Sequence, residues 1–565
     1  MSDAATKATV ADQVADMLAN AGIKRIYAIT GDSLNSLTDA IIRDGRIRFI
    51  HMRHEEAGAF AASAEAQITG SLACCAGSSG PGHVHLINGL YDAQRSDAPV
   101  LAIASTCPSA MFGTGYFQET NPILLFSNCN FYNQMAANPA QVPHMFQNAM
   151  QHAISQSGVS VVGLPQDVSA QPAVTDQAAM QPLKTTRLPE ATDEDVAKAA
   201  DVLNKAGKVA IYAGMGAADA VKELAQVADI LSAPVITSYK SQLVITRNCP
   251  NYVGHLAYLG MWSAAEAIAD ADAILIIGTN FPYPGFFPKG RQIIQVDTRA
   301  HRIGKVADVT LGIRADSHSF LGALLPRLTK KTNRAFLEKA LADYADILKK
   351  IEVPVSKPGT IGSIRPEYFF SLLNKMADDD AIFTVDTGLN NLWSSHYLTP
   401  GKKRMMIGSF MHGSMANAMP QAIGAAVTCP ERQVISLSGD GGLAMLLGDL
   451  LTIVQYKLPI KIFVADNRTL GFVKWEMELA GFKPSETGLH NPDFGEVARA
   501  MGFQAQTVSD PAKLEAAMKT WLAAPGPALL SVLTDPNAAS FTFSKKMVDG
   551  ASPDNPVENF MSPGN

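Results

Sequence analysis

The stretch VISLSGDGGLAMLLGDLLTIVQYKLPIKIFVADN, residues 434–467, decides the fold of this chain. A β-branched apolar run ends at the glycines around Asp440, and a helical apolar pattern follows over 443–458 until a proline stops it. A second buried strand over 460–465 leads to Asn467. The pattern predicts one βαβ unit with parallel strands, so Asp440 and Asn467 lie at the same carboxyl edge of one sheet. Open α/β sheets bind ligands at that edge.

The residue types at this edge suit a metal ion and a phosphate group. Asp440 offers an anionic oxygen and Asn467 an amide oxygen, and both are ligands that Mg²⁺ or Ca²⁺ prefers. Gly441 and Gly442 allow backbone N–H groups to approach an anion at a helix N-terminus. The spacing therefore predicts a metal-bound diphosphate. The alternative interpretation is a glycine-rich turn with a solvated aspartate, and the strand, helix, strand and asparagine in register favour the binding site.

The composition of the chain is that of a multidomain globular protein. Its 565 residues predict several domains, and 47% hydrophobic against 17% charged residues suit large buried parallel sheets. A net charge of −6 does not indicate binding to nucleic acid, and no Lys/Arg cluster indicates binding to an anionic membrane surface. The six cysteines show neither CxxC nor zinc spacing, and the sequence has no signal-peptide core or run of about 18 apolar residues. These features favour a reducing, cytoplasmic setting.

Alternating strand and helix patterns occur in three segments of similar size. We predict an α/β fold of three doubly wound parallel-sheet domains, at 1–183, 190–350 and 360–534, followed by a tail at 535–565. The predicted strands of the first domain are RIYAIT, IRFIHM, LACCAG, VLAIAS and VSVVGLP. Those of the second are KVAIYAG, PVITS, AILIIGT and QIIQVD. Those of the third are AIFTVD, RMMIGS, QVISLS, IKIFVAD and PALLSVL.

A second candidate site begins a helix of the first domain. His54, Glu55 and Glu56 follow the strand IRFIHM and open a helix of small residues, AGAFAASAEAQITG. A carboxylate at a strand-to-helix junction can occupy a buried cleft. The alternative interpretation is an ordinary pair of first-turn glutamates that the helix dipole favours.

Together these two patterns resemble the motifs of thiamine diphosphate enzymes, GDG with a later Asn and HE before a small-residue helix. The resemblance implies a pyrimidine-binding first domain, a central FAD-type domain and a diphosphate-binding third domain. It implies that Glu55 hydrogen-bonds the aminopyrimidine ring of the cofactor, since the chemistry needs a carboxyl group that shares a proton with a ring nitrogen. It also implies that Mg²⁺ is held by Asp440, Asn467 and the backbone carbonyl of Thr469.

The same resemblance assigns further residues by position. Those expected to bind thiamine diphosphate are Thr387, Gly388, Gly413, Ser414, Met415, Gly441 and Gly442. Those expected near the substrate or the flavin are Phe117, Gln118, Phe472, Val473 and Glu476. For Met415 and Phe117, plain core packing is the alternative interpretation.

Longer strings are similar to bacterial pyruvate oxidases of the quinone-reducing type, the pyruvate dehydrogenase (quinone) group. They include RHEEAGAFAASAEAQ, GYFQETNP, GSFMHGSMANAMPQAIGA and LGFVKWEME. The resemblance implies oxidative decarboxylation of pyruvate to acetate and CO₂ through hydroxyethyl-thiamine diphosphate. Electrons then pass to FAD and on to quinone, O₂ or another acceptor, and release of acetyl phosphate stays open. In this family the site joins two subunits, so a homo-oligomer is implied, at least a dimer and usually a homotetramer.

The middle domain is expected to bind FAD as a flavoprotein domain of this family. The residues that match flavin-holding positions are Leu256, Leu259, Thr279, Asn280, Phe281, Pro282, Tyr283 and Asp297. The string IYAGMGAAD lacks a full GxGxxG, and a structural spacer domain is the alternative. Two departures stand out: Lys240-Ser241-Gln242 replaces Arg-Gly-Lys of the relatives, and the tail lacks their amphipathic helix. Membrane contact is therefore expected to be peripheral at most.

Two other functions remain open at this point. One is acetolactate synthase, or another non-oxidative 2-keto acid decarboxylase or lyase, with a structural flavin or none, and the string LGFVKWEME argues against it. The other is a non-catalytic regulatory homologue, against which the intact Glu55, Asp440 and Asn467 argue.

Overall fold

The computed structural model of the protein describes residues 8–174, 182, 188–257 and 260–538. It confirms the predicted fold class, with three α/β domains each built on a six-stranded parallel sheet. The predicted tail lies outside the described residues from 539 onward. Among the described residues, no helix has both the length and the apolar character needed to cross a membrane.

The first domain is a parallel sheet with helices on both faces. Its strands are β1 (Arg25–Ala28), β2 (Arg48–His51), β3 (Ala73–Gly77), β4 (Val100–Thr106), β5 (Tyr132–Met135) and β6 (Val159–Pro165). Its helices are α1 (Val10–Asn20), α2 (Asn35–Asp44), α3 (Glu55–Thr69), α4 (Pro81–His85), α5 (Ile87–Arg95), α6 (Pro122–Leu125), α7 (Val142–Gln156) and α8 (Gln166–Ala170). The strand order is β2-β1-β3-β4-β6-β5, so the chain changes direction across the sheet between β1 and β3.

The middle domain has a different strand order. Its strands are β7 (Val209–Ala213), β8 (Val235–Thr237), β9 (Tyr252–His255), β10 (Ala273–Ile277), β11 (Gln292–Asp297) and β12 (Leu311–Arg314). Its helices are α9 (Asp193–Lys205), α10 (Val221–Leu231), α11 (Gln242–Ile245), α12 (Trp262–Asp270), α13 (Ser317–Leu324) and α14 (Ala335–Val355). The order β12-β11-β10-β7-β8-β9 is that of dinucleotide-binding sheets, with the switch point between β7 and β10.

The third domain repeats the strand order of the first. A short antiparallel pair, β13 (Gly359–Thr360) and β14 (Ser363–Ile364), precedes it. Its strands are β15 (Ile382–Val385), β16 (Met405–Gly408), β17 (Val434–Gly439), β18 (Lys461–Asp466), β19 (Gln504–Val508) and β20 (Ala528–Leu533). Its helices are α15 (Pro366–Met376), α16 (Leu389–Tyr397), α17 (Ala418–Thr428), α18 (Asp440–Met445), α19 (Leu450–Gln455), α20 (Gly471–Leu479), α21 (Phe494–Ala500) and α22 (Pro511–Ala523). The order β16-β15-β17-β18-β20-β19 places its switch point between β15 and β17.

The helix predicted over 443–458 differs from the observed one. It begins earlier, at Asp440, and a 3-10 turn at Leu447–Asp449 separates α18 from α19. The Asp449 carboxylate accepts hydrogen bonds from the backbone N–H of Arg53 at 2.9 Å and from Thr452 Oγ1 at 2.9 Å. This aspartate therefore bonds to the first domain at the point where the regular helix is interrupted.

The first and third domains share one hydrophobic core. Helix α3 packs against α17, and both helices consist largely of small side chains. A Cβ atom at Gly424 would overlap the carbonyl oxygen of Ala61, so glycine is required for this close approach of the two backbones. Within the same contact, Asp92 accepts hydrogen bonds from Ser63 Oγ at 3.1 Å and from Gln421 Nε2 at 3.3 Å.

Candidate active site

Asp440 lies directly after β17, at the switch point of the third sheet. Its side chain is 3% exposed. Its Oδ2 accepts hydrogen bonds from the N–H of Arg468 at 2.7 Å and from Asn491 Nδ2 at 2.8 Å. Asn491 Nδ2 also donates to Asp466 Oδ1 at 2.8 Å. Burial raises the pKa of Asp440 to about 6, and the charge of Asp466 adds to the rise.

These two buried carboxylates form no ion pair with any residue in the described part of the chain. A buried charge without a counter-ion is costly, so this pocket of oxygen atoms fits a divalent cation. Asn491 was not among the predicted site residues. It follows no strand and no motif, and no pattern in the sequence points to it.

The other two predicted metal ligands lie in the loop that follows β18. Asn467 Oδ1 accepts a hydrogen bond from the N–H of Thr469 at 3.0 Å, and Thr469 Oγ1 donates to the carbonyl of Thr487 at 3.0 Å. Arg468 between them has a φ of 56°, in the left-handed region. This reversal aims the N–H of Arg468 at Asp440, so the loop that contains Asn467 and Thr469 lies against Asp440. The carbonyl of Thr469 accepts a hydrogen bond from the N–H of Gly471 at 2.8 Å.

The glycines of this edge form a space that side chains would fill. A Cβ atom at Gly442 would overlap Asp386 Oδ2, and one at Gly441 would lie 3.2 Å from Met415 Cε. Gly388 and Gly413 have φ values of 141° and 75°, which favour glycine. A glycine cradle beside buried anionic oxygens fits a metal-bound diphosphate. Met415 is half-buried against this cradle.

Glu55 occupies the corresponding edge of the first sheet. It is the first residue of α3, and its side chain is buried, with Oε2 3.0 Å from His85 Nδ1. His54 caps the helix, because its Nδ1 accepts the N–H of Glu56 at 3.2 Å. The rings of His54 and His85 stack with centroids 4.5 Å apart. The Glu55 carboxylate is therefore buried. Its hydrogen bond to the imidazole of His85 was not indicated by the sequence pattern.

Glu56, the neighbour of Glu55, is linked to the third domain. Asn88 Nδ2 donates to Glu56 Oε1 at 2.7 Å and to Ser414 Oγ at 2.8 Å. His412 Nε2 lies 2.9 Å from Asn88 Oδ1. The segment 413–415 therefore contacts the start of α3 through one asparagine.

Gln118 and Phe117 lie near the glycines that follow β3. Ser79 Oγ donates to Gln118 Oε1 at 3.1 Å, and a Cβ atom at Gly80 would lie 2.8 Å from the Cβ of Gln118. Phe117 is 74% exposed, so core packing within this chain does not explain it.

A cavity of ≈ 700 Å³ lies where the three domains meet. Its wall contains the predicted flavin residues Leu256, Thr279, Asn280, Phe281, Pro282, Tyr283 and Asp297. It also contains the predicted thiamine-side residues Thr387, Gly413, Phe472 and Glu476. Leu259 lies outside the described residues. The structure therefore joins the middle and third domains in one cavity, whereas Glu55, Phe117, Asp440 and Asn467 lie outside its wall.

The part of the cavity in the middle domain follows the switch point of that sheet. Gly214 and Gly216 follow β7, and Gly278 follows β10 with a φ of 60°. A Cβ atom at Gly216 would lie 2.7 Å from the Cα of Gly278, so the two turns pack backbone against backbone. Asp297 ends β11 as a buried acid whose pKa is raised by burial. Glycine turns at a switch point with an acid beside them fit a dinucleotide, with the acid facing ribose hydroxyls.

Charged side chains from the first and middle domains also line the cavity. Asp97 accepts hydrogen bonds from Arg299 at 2.6 Å and from Arg302. Lys240 Nζ donates to the carbonyl of Ser96 at 3.4 Å. Asp97 and Ser96 belong to the first domain, so no local pattern relates them to the middle domain.

The segment Lys240-Ser241-Gln242 contacts both the middle domain and the third domain. Gln242 Nε2 donates to the carbonyl of Ser395 at 2.6 Å, which ties the middle domain to α16. Ser241 is buried, and its Oγ donates to the carbonyl of Ala213 at 2.9 Å. Lys240 lines the cavity, so this wall carries a cation.

Helix α20 supplies the third-domain wall of the cavity. Phe472 and Glu476 line it, while Val473 is 39% exposed. Burial raises the pKa of Glu476, and its charge contributes to the raised pKa of Tyr283, after burial. The electrostatic contact places α20 beside the middle-domain loop that contains Thr279 to Tyr283.

Comparisons with known proteins agree with this arrangement. The thiamine pyrophosphate enzyme N-terminal TPP binding domain matches residues 8–125, the central domain 196–324 and the C-terminal TPP binding domain 386–532. A thiamine pyrophosphate-containing protein of Bacillus subtilis is 32% identical, covering 93% of this chain and 91% of its own. Pyruvate oxidase of Lactiplantibacillus plantarum is 34% identical, with coverages of 86% and 82%. Acetolactate synthase isozyme 1 large subunit of Escherichia coli is 27% identical, with coverages of 93% and 94%.

The fold and the two sheet edges define an α/β enzyme that binds a diphosphate cofactor. With the matches above, the chain belongs to the thiamine pyrophosphate-dependent enzyme family.

Proposed function

We propose that this protein oxidatively decarboxylates pyruvate to acetate and CO₂ and passes the electrons to FAD. The observation that supports this proposal is the single cavity between the predicted flavin residues and the third domain. An oxidase needs its two cofactors close together, because electrons must pass from one to the other. The similarity to a pyruvate oxidase over most of both chains adds support.

In this proposal, Asp440, Asn467 and the carbonyl of Thr469 hold Mg²⁺. The glycine turns at Thr387-Gly388 and Gly441-Gly442 leave space for the diphosphate. Thiamine diphosphate, when bound, supplies a carbon nucleophile and an electron sink for decarboxylation.

Glu55 holds a proton at its carboxyl group for the pyrimidine ring nitrogen. Its burial at the start of α3 excludes water from this proton, and the segment 413–415 would contact the pyrimidine ring. Phe117 and Gln118 from the first domain, with Phe472, Val473 and Glu476 from α20, are the proposed contacts of substrate and flavin.

FAD is proposed to occupy the middle-domain cavity, held by Thr279 to Tyr283, by Leu256 and by Asp297. The strand order and the paired glycine turns support a dinucleotide there over a structural spacer. The final electron acceptor is a quinone, O₂ or another carrier.

A second copy of the chain is proposed to complete the site. Large apolar side chains stay exposed near the first-domain edge, with Phe117 at 74% and Leu124 at 72%. Exposed apolar groups of this size indicate a contact surface. The proposed assembly is a homo-oligomer, at least a dimer.

The visible spectrum of the purified protein, recorded anaerobically with and without pyruvate, tests this proposal. We expect a yellow protein that pyruvate bleaches, with acetate as the product. Formation of acetolactate without bleaching would overturn the oxidase and favour the reaction named for the Escherichia coli relative. A colourless protein that turns over pyruvate would overturn the proposal that the protein binds FAD.

A further inference from the structure

Lys240 is a cation on the cavity wall, and two nearby carboxylates act on it without forming a close ion pair. Its ammonium group donates to the carbonyl of Ser96 at the long distance of 3.4 Å. Among the described residues, Lys240 forms no ion pair within 4.0 Å. An enclosed ammonium group with three donors and one weak acceptor favours a ligand that brings further acceptors or negative charge.

The two carboxylates whose charges act on Lys240 accept hydrogen bonds from other groups, although Asp92 Oδ1 has no partner among the described residues. Asp97 accepts hydrogen bonds from Arg299 and Arg302. Asp92 lies fully buried and accepts from Ser63 and Gln421. Burial lowers the pKa of Lys240, and the charges of Asp97 and Asp92 oppose that shift.

The strand order places Lys240 at one end of a row of residues that follow the carboxyl ends of neighbouring strands. Across the sheet the neighbours are β11, β10, β7 and β8. Their carboxyl ends carry Asp297, Gly278, Gly214 and, three residues beyond β8, Lys240. A dinucleotide across this row puts a ribose at Asp297 and its diphosphate at the glycine turns of the switch point. The remaining half of the molecule then lies on the side of Lys240.

That side of the cavity also opens toward the third domain. The ring of Tyr239, next to Lys240, lies 5.2 Å from the ring of Phe410 of the third domain, and both residues line the cavity. The half of a dinucleotide at this end is therefore the half nearest the thiamine-binding domain.

We propose that Lys240 contacts the flavin moiety of the bound dinucleotide and stabilises the negative charge of its reduced form. This inference rests on the proposed FAD site. A protein cation beside the flavin ring tunes its electronics, because reduction adds electron density that the cation attracts. Lys240 is thereby assigned as a specificity- and potential-determining residue.

The test uses the full-length protein freed of flavin, in the form of wild type, Lys240→Met, Lys240→Arg and Lys289→Met. Lys289 is exposed in the same domain and controls for the loss of one positive charge. Dissociation constants are measured for FAD, FMN and ADP by calorimetric titration. The reduction potential of bound FAD is measured by equilibration with reference dyes.

We expect Lys240→Met to bind FAD and FMN about ten- to a hundredfold more weakly, since a hydrogen bond from a charged group is lost. ADP affinity is expected to stay within about twofold, which also shows that the variant is folded. The potential of bound FAD is expected to shift negative by about 30 mV for each tenfold loss in preference for the reduced form. Lys240→Arg and Lys289→Met are expected to stay close to wild type.

Two outcomes would overturn the inference while leaving the FAD site intact. One is an equal loss of ADP and FAD affinity in Lys240→Met, which would assign the cation to the diphosphate. The other is an unchanged FAD affinity and potential. If wild type binds none of the three probes, the proposed FAD site itself is wrong, and the inference falls with it.

Discussion

The first and third domains have the same strand order, yet their carboxyl edges carry different chemistry. The third-domain edge has two buried carboxylates around Asn491 and a cradle of glycines. The first-domain edge has one buried carboxyl group, Glu55, bonded to His85. The comparison shows that two sheets of the same strand order carry different side chains at their carboxyl edges, because the residues that follow the strands differ.

Substitution of Glu55 separates proton chemistry from binding. Glu55→Gln is expected to lower turnover of pyruvate by about 10²–10⁴-fold, the usual range for losing a general acid or base. Affinity for thiamine diphosphate with Mg²⁺ is expected to change by less than about tenfold, because the third-domain edge is untouched. Steady-state kinetics and calorimetric titration measure the two quantities.

The adjacent glutamate is the matched control for that variant. Glu56 bonds to Asn88 and not to His85, so Glu56→Gln is expected to keep most of the activity. Near wild-type turnover in Glu55→Gln with loss in Glu56→Gln would show that the two roles are reversed.

Substitution of Asp440 tests the carboxyl edge of the third-domain sheet. Asp440→Ala is expected to weaken Mg²⁺-dependent binding of thiamine diphosphate by about 10²-fold or more, because a buried charged partner of the cation is removed. Titration with the cofactor at several Mg²⁺ concentrations measures this effect. Asp379→Ala, an exposed change in the same domain, is expected to bind as wild type does. Binding by Asp440→Ala that still depends on Mg²⁺ with unchanged affinity would place the metal elsewhere.

Two glycines of the third-domain edge provide a smaller, steric test. Gly442→Ala is expected to destabilise the protein by about 1–3 kcal/mol, since its Cβ atom would overlap the carboxylate of Asp386. Gly439→Ala is the control, because a Cβ atom there has no neighbour within 4 Å. Chemical unfolding monitored by fluorescence compares them. Equal unfolding midpoints would mean that the cradle is less tightly packed than the structure indicates.

The contact between the two compared domains has its own pH dependence. Burial raises the pKa of Asp92 to about 6 from 3.8, so the native state holds this proton more tightly than the unfolded state. Stability is therefore lost as the pH rises through the range of about 4 to 6, by at most roughly 3 kcal/mol. Asp92→Asn is expected to be more stable than wild type by about 1–2 kcal/mol above pH 6, because its lost contacts offset part of the gain.

Urea-unfolding midpoints at pH 4 and pH 7.5 measure this difference. Asp308→Asn, an exposed change, is the control. An advantage of Asp92→Asn that is the same at both pH values would show that titration of Asp92 is not its cause.

The strands that sequence patterns missed share one property. Of the strands in the three large sheets, β5, β9, β12 and β19 were not predicted, and each forms an edge of its sheet. The strands β5 (YNQM) and β19 (QAQTV) are largely polar and only partly buried. Central strands of parallel sheets are covered on both faces and show continuous apolar runs, whereas edge strands need not. Periodicity therefore predicts the middle of each sheet better than its edges.

The site residues divide in a similar way. Asp440 begins a helix directly after β17, and Glu55 begins one shortly after β2, at positions that local sequence signals mark. Asn491 and His85 were not predicted. Each contacts a residue distant in the sequence, Asp440 and Glu55 respectively, and neither belongs to a sequence pattern typical of a ligand.

The sequence by itself determined the class of fold, the two sheet edges and the family, since periodicity, glycine turns and short motifs are properties of neighbouring residues. Only the tertiary structure decided that one cavity joins the predicted flavin residues to α20. It alone placed Asp97 of the first domain against Arg299 of the second, and Lys240 on the cavity wall. These contacts join residues from separate domains, and the packing of whole domains against one another creates them, which no spacing along the chain encodes.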